Sequence, residues 1–154
     1  MSEIKCINLS YVVSSDNAGD VENVFKKHAS WMNEFYAEEN EGKEHLISCY
    51  FTKAQEFIDP TDPTKGFTGN IIFTINEKFT SMKSVERHVE NASKNEYFGK
   101  FVEILGAYGK AISLGGDIYH SIRWSASIWA IRYSITPHCH RTTYLIDFSY
   151  EEFF

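Results

Sequence analysis

The chain has 154 residues with a formal net charge of −6, and its sequence pI is near 5.5. That length favours a single domain, which can bury roughly 68–70% of the surface its unfolded chain exposes without a disulfide or metal staple. The acidic balance lacks the Lys/Arg stripe from which nucleic-acid binding and anionic membrane surfaces draw their affinity, so neither is expected as a partner.

The first strand is read from Ile4 to Ser14, where Ile7, Leu9, Tyr11 and Val13 alternate with Asn8, Ser10 and Ser14. Asp16-Asn17-Ala18-Gly19-Asp20 then offers oxygens to cap a helix. In that helix Val21, Val24, Phe25, His28, Trp31, Met32 and Phe35 form one continuous stripe. It stops in the polar run Glu38 to Gly42, and a second strand follows from His45 to Phe57. Two prolines and Gly66 between Asp59 and Gly66 argue against regular structure there. Gly69 to Phe79 reads as the third strand, with Ile71, Phe73 and Ile75 on one side.

Thr80 or Ser81 caps the next helix, which carries Val85, His88, Val89 and Ala92 on one face. After a break near Lys94-Asn95, Phe98, Phe101, Val102, Leu105 and Tyr108 mark another helical stretch. Ala111 to Ile122 reads as the fourth strand, bent or bulged at Gly115-Gly116. The order β-α-β-β-α-β is the ferredoxin-like arrangement, an α+β class in which helices cover one face of a four-stranded antiparallel sheet. The other face carries apolar residues too and needs a cover, most simply a second copy of the chain. Residues 1–122 form this unit; 123–154 read as a C-terminal hairpin extension, with Trp129 to Ile135 and Tyr144 to Tyr150 alternating about a turn at Thr136–His140.

Cys6, Cys49 and Cys139 are odd in number and widely spaced, which fits reduced thiols in a cytoplasmic protein. No apolar run reaches the ~20 residues of a membrane-spanning helix, and no signal-like segment precedes the first strand. The sequence lacks a GxSxG elbow, an HExxH pair and a phosphate loop.

His28 and His88 sit on the apolar stripes of two helices that share one sheet. A buried imidazole costs desolvation unless partnered, so each is a candidate for binding or general acid–base work; the bland alternative is a hydrogen-bonded core histidine. Asn8 and Asn76 project from strands and are candidates for holding an oxyanion or phenolate, against the alternative of surface amides bonded to their neighbours. Tyr11, Trp31, Phe35, Phe73 and Phe101 are candidates for core and pocket wall together. His138-Cys139-His140 lacks the further ligands a zinc site needs and reads as a solvated turn, so no metal is expected.

The segment Phe73-Thr74-Ile75-Asn76-Glu77-Lys78-Phe79, with Ser81, Val85, His88 and Tyr97-Phe98, resembles the C-terminal half of the antibiotic biosynthesis monooxygenase-like group of the dimeric α+β barrel superfamily. The resemblance spans residues 4–122 and implies a homodimer. It also implies an activity among cofactor-free monooxygenases of aromatic polyketides, heme-degrading enzymes, and small isomerases or cyclases. Asn8 fits the strand-one Asn of the heme-degrading branch, but His88 stands where that branch has Trp and Val102 where it has His, which counts against heme. The cofactor-free branch places Asn, Trp and Tyr about a phenolic substrate, and here Trp31 and Tyr11 are the corresponding candidates. The expectation is a cofactor-independent monooxygenase, or an isomerase or cyclase, acting on a small aromatic molecule, with Asn8, His28 and His88 catalytic. The alternative is a binding protein for a fatty acid or other apolar metabolite.

Overall fold

The computed structural model describes residues 3–37 and 44–121. In β1 (Lys5–Ser14) the alternation sorts side chains as expected: Ile7, Leu9, Tyr11 and Val13 are buried, while Asn8 and Ser14 on the reverse side are exposed. A 3-10 turn at Ser15–Asn17 leads into α1 (Ala18–Ala37), which buries Val21, Val24, Phe25, His28 and Met32. β2 (Leu46–Phe57) and β3 (Phe67–Phe79) follow. The loop between them is not wholly irregular, because Pro63–Lys65 forms one 3-10 turn with Asp62 accepting from the Thr64 amide at 3.2 Å. Proline pre-sets the φ that such a turn needs, which the expectation of no regular structure overlooked.

Ser81 caps α2 (Met82–Ala92) by accepting from the Ser84 amide at 3.2 Å. Then come α3 (Phe98–Tyr108) and β4 (Gly109–Asp117). β4 starts and stops earlier than its sequence pattern suggested, since its partner β1 begins only at Lys5, opposite Asp117. The register slips between Cys6, opposite Gly116, and Ile7, opposite Leu114. Gly115 is the extra residue of this bulge and takes φ 79°, a left-handed value that glycine adopts without steric cost.

All pairings are antiparallel and the strand order is β2-β3-β1-β4. That is the ferredoxin-like topology. The core lies between this sheet and the helices, where Ile7, Leu9, Tyr11, Phe73, Ile75 and Phe79 meet Val21, Phe25, Val85, Phe101 and Ile104. The opposite face is more polar than expected along its middle. Asn8 Nδ2 donates to Asn76 Oδ1 at 3.0 Å, Asn76 Nδ2 donates to Thr74 Oγ1 at 2.8 Å, and Thr74 bonds Thr52 across the next strand at 2.6 Å.

No helix among the described residues is long and apolar enough to cross a membrane. The chain divides into residues 1–120 and 121–154, and the site below belongs to the first unit. The expected hairpin of 123–154, its His138-Cys139-His140 turn and the helix stop at 38–42 lie outside the described residues.

Candidate functional site

β3 turns Phe73, Ile75, Glu77 and Phe79 toward the helices, so a carboxylate stands at a core position. Ile7 of β1 and Cys49 of β2 flank Glu77 across the sheet. Its burial is nearly complete, at 3% exposure. A charge taken from water costs several kcal/mol unless its environment repays it. The repayment comes from both helices. His28 of α1 places Nε2 3.2 Å from Glu77 Oε1, and His88 of α2 places Nε2 3.4 Å from Oε2.

Only the first of these is a hydrogen bond. Oε2 is buried with no hydrogen-bond partner. The far nitrogen of each ring is held by a phenol: His28 Nδ1 lies 2.9 Å from Tyr97 Oη, and His88 Nδ1 lies 3.0 Å from Tyr36 Oη. The two imidazoles meet edge to face, 5.4 Å between centroids and perpendicular.

Burial lowers the His88 pKa to about 4, opposed in part by the Glu77 charge and reinforced by His28. The imidazole is therefore neutral at neutral pH. Burial, then the negative charge of Glu77, raises the pKa of Tyr36, Tyr97 and Tyr11, and pushes the Cys49 thiol up to about 12. Phenols and thiol around Glu77 thus stay protonated, and a second anion there is disfavoured.

This cluster forms the polar end of a cavity of about 100 Å³. Ile7, Leu9 and Leu114 of the sheet wall it, with Val89 and Ala92 of α2 and Phe98, Phe101, Val102 and Leu105 of α3. Val89, Val102 and Leu114 are exposed, so the mouth opens between the two helices and the β4 edge. The surface of this chamber is almost wholly apolar, with the polar atoms of His28, Glu77 and His88 buried just behind its inner end. Apolar concavities of this kind hold small molecules.

Of the residues singled out by sequence, the structure brings His28, His88 and Phe101 together on this cavity. Trp31 backs the histidines, stacked on His28 at 5.5 Å and edge-on to His88 at 5.2 Å. Phe35 stacks on Trp31 and carries the Arg87 guanidinium over its outer face at 4.5 Å. Tyr11 and Phe73 pack around Phe25 in the core and do not line the cavity.

Asn8 and Asn76 point to the other side of the sheet, bonded to each other. Alternation separates them from the histidines, because Asn8 lies between inward Ile7 and Leu9, and Asn76 between inward Ile75 and Glu77. The grouping of Asn8 with His28 and His88 in one pocket is corrected accordingly. The residues missed as site members are Glu77, Tyr36 and Tyr97. Glu77 carried a readable signal, an acidic residue in phase with Phe73 and Ile75.

No family model matches the chain, and no curated protein matches it. Among solved structures it is similar to a "Putative antibiotic biosynthesis monooxygenase from Nitrosomonas europaea", at 14% identity and a TM-score of 0.39, over 77% of this chain and 94% of that one. A likeness of that order carries neither activity nor substrate to this chain.

Proposed function

We propose that the cavity binds a small aromatic molecule with its oxygen-bearing end against His28, Glu77 and His88, and that the protein is a monooxygenase-like enzyme acting on that ring. The observation behind this is an apolar chamber, walled mostly by aliphatic side chains with Phe98 and Phe101, behind whose inner end a buried carboxylate lies between two imidazoles. Glu77 Oε2 is a buried acceptor without a hydrogen-bond partner, and a phenol would donate to it once the imidazoles shift to open it to the cavity. A hydrogen bond from the phenol to the carboxylate would make the ring more electron-rich without full loss of the proton, and the apolar wall would exclude competing water.

Size narrows the substrate. A cavity of about 150 Å³ accommodates a benzene-sized ring in other proteins, so about 100 Å³ takes no more than one ring, the remainder of a larger molecule lying over the open mouth. The fatty-acid alternative fares worse, since a carboxylate head at the inner end would meet Glu77, and a head at the mouth leaves Oε2 unsatisfied.

Saturable quenching of tryptophan fluorescence by phenol and 2-naphthol tests the binding, Trp31 being stacked on His28. Val102→Trp would block the mouth at a half-exposed position, 50% accessible, without disturbing the core. We expect binding to weaken at least about tenfold, a change of ~1.4 kcal/mol. Binding indifferent to Val102→Trp would place the ligand elsewhere. Oxygen uptake with an anthrone-type phenol is expected of the enzyme and is lost in Glu77→Gln. The ring methylene of that substrate supplies the electrons, so that one oxygen atom becomes the new ring carbonyl and the other leaves as water. Ligand binding without oxygen uptake leaves only a binding protein.

A further inference from the structure

We propose that His28, Glu77 and His88 form a binding site for a divalent first-row transition metal ion at the inner end of the cavity. This departs from the sequence reading, which expected no metal. It rests on the cavity being the functional site, and it assigns that site's polar end a ligand of its own.

The spacing is the first argument. Ligands bonded at ~2.1 Å and separated by octahedral or tetrahedral angles lie about 3.0–3.4 Å apart. The Nε2 atoms of His28 and His88 stand 3.2 and 3.4 Å from the two carboxylate oxygens. One donor atom from each of the three residues can be chosen so that all lie within 4.8 Å of one another. Modest movement of the imidazoles would draw the widest gap in.

Glu77 Oε2 is the second argument. A buried carboxylate oxygen without a hydrogen-bond partner costs free energy that a cation would recover. The third is the outer shell. Metal-ligating histidines pass their other N–H to an acceptor, which fixes the ring and the tautomer. Tyr97 and Tyr36 supply a phenol oxygen to each Nδ1. On binding the ion, His28 would exchange its Nε2–H hydrogen bond to Glu77 for the tautomer in which Nδ1–H donates to Tyr97. With His88 likewise donating from Nδ1 to Tyr36, both Nε2 lone pairs are left for the ion.

Two imidazoles and one carboxylate suit iron, cobalt, nickel or zinc, and suit calcium or magnesium poorly. The three ligands come from α1, β3 and α2, and the apolar cavity adjoins them; with the ion on Glu77 Oε2, the oxygen of a bound phenol would meet the ion rather than the carboxylate.

The test uses the full chain carrying His138→Ala and His140→Ala, which removes the tail as a competing ligand set, stripped with chelator and titrated with Co(II). Expected are one equivalent of Co(II) per chain with visible d–d absorption, and an affinity at least 100-fold lower in His28→Ala, His88→Ala and Glu77→Gln. Tyr97→Phe and Tyr36→Phe are expected to weaken binding about tenfold, as loss of an outer-shell partner does. The intact cluster supplies a readout that needs no cluster variant: paramagnetic Co(II) must shift or broaden the ring resonances of His28 and His88. Absence of a stoichiometric site would overturn the proposal, as would a site that survives both the His28→Ala and His88→Ala changes. Naphthol titration of the same stripped protein separates the two readings. Naphthol binding without metal uptake sinks the metal site and spares the pocket, whereas metal uptake without naphthol binding upholds the metal site and sinks the pocket reading.

Discussion

Glu77 is the residue on which the site turns, and what surrounds it makes the cluster sensitive to acid. His88 has its pKa depressed from 6.5 to about 4, chiefly by burial. The unfolded chain therefore binds the proton more readily, so the contribution is fully present above about pH 6.5 and is lost as pH falls toward 4. At ~1.4 kcal/mol per pKa unit the loss is about 3 kcal/mol. Urea unfolding of chelator-treated protein across that window should show it, and His88→Gln should flatten the slope. An equal slope in the variant would contradict the assignment.

Tyr11 offers a second check at this scale. Its hydroxyl is buried without a hydrogen-bond partner. Tyr11→Phe removes that unsatisfied group and should leave stability unchanged or raise it by roughly 1–2 kcal/mol; a loss above ~1 kcal/mol in thermal or urea unfolding would reveal a missed partner. The histidines were legible because each occupies a core position of an apolar stripe. Glu77 was equally legible by phase, while Asn8 was grouped with the histidines as a strand amide able to hold an oxyanion, against what alternation along β1 already indicated.

Elements whose signals are local were read closely. α3 runs from Phe98 to Tyr108 as its periodicity suggested, and Ser81 caps α2. Removing that cap by Ser81→Ala should cost about 1 kcal/mol in urea unfolding; no cost would mean the amides find another partner. Elements whose ends are set by distant partners were read less well. β3 starts at Phe67, where Phe57 of β2 packs ring to ring at 4.7 Å, and β4 stops at Asp117, opposite Lys5, where β1 begins. Neither end is marked by local composition. Gly115 is an exception, since a glycine pair inside a strand pattern announces a bulge. At φ 79° a Cβ there would stand 2.6 Å from Met82 Sδ. Gly115→Ala should cost about 1–2 kcal/mol from backbone strain, with Met82 able to move; a neutral result would show that the bulge relaxes.

Among the described residues, one face of the sheet lies under helices and the other carries none. Along the latter, the Asn8–Asn76–Thr74–Thr52 ladder satisfies its own hydrogen bonds, while Tyr50 is 58% exposed beside it. We propose that a second copy covers this face, as the resemblance read from sequence implies. Sedimentation velocity should give a dimer mass that Tyr50→Glu reduces to a monomer; a monomeric parent protein contradicts this. Topology was legible at this scale because three helices and four strands in that order have few ways to pack. The cavity was not, since its position depends on how β4 and the two consecutive helices leave a gap.

The most direct measurement is a crystal structure of the 2-naphthol complex. The account predicts a ring lodged among Phe101, Ala92 and Ile7 with its oxygen turned to Glu77, between His28 and His88. A naphthol seated instead on the open face beside Asn8 and Asn76 would contradict it.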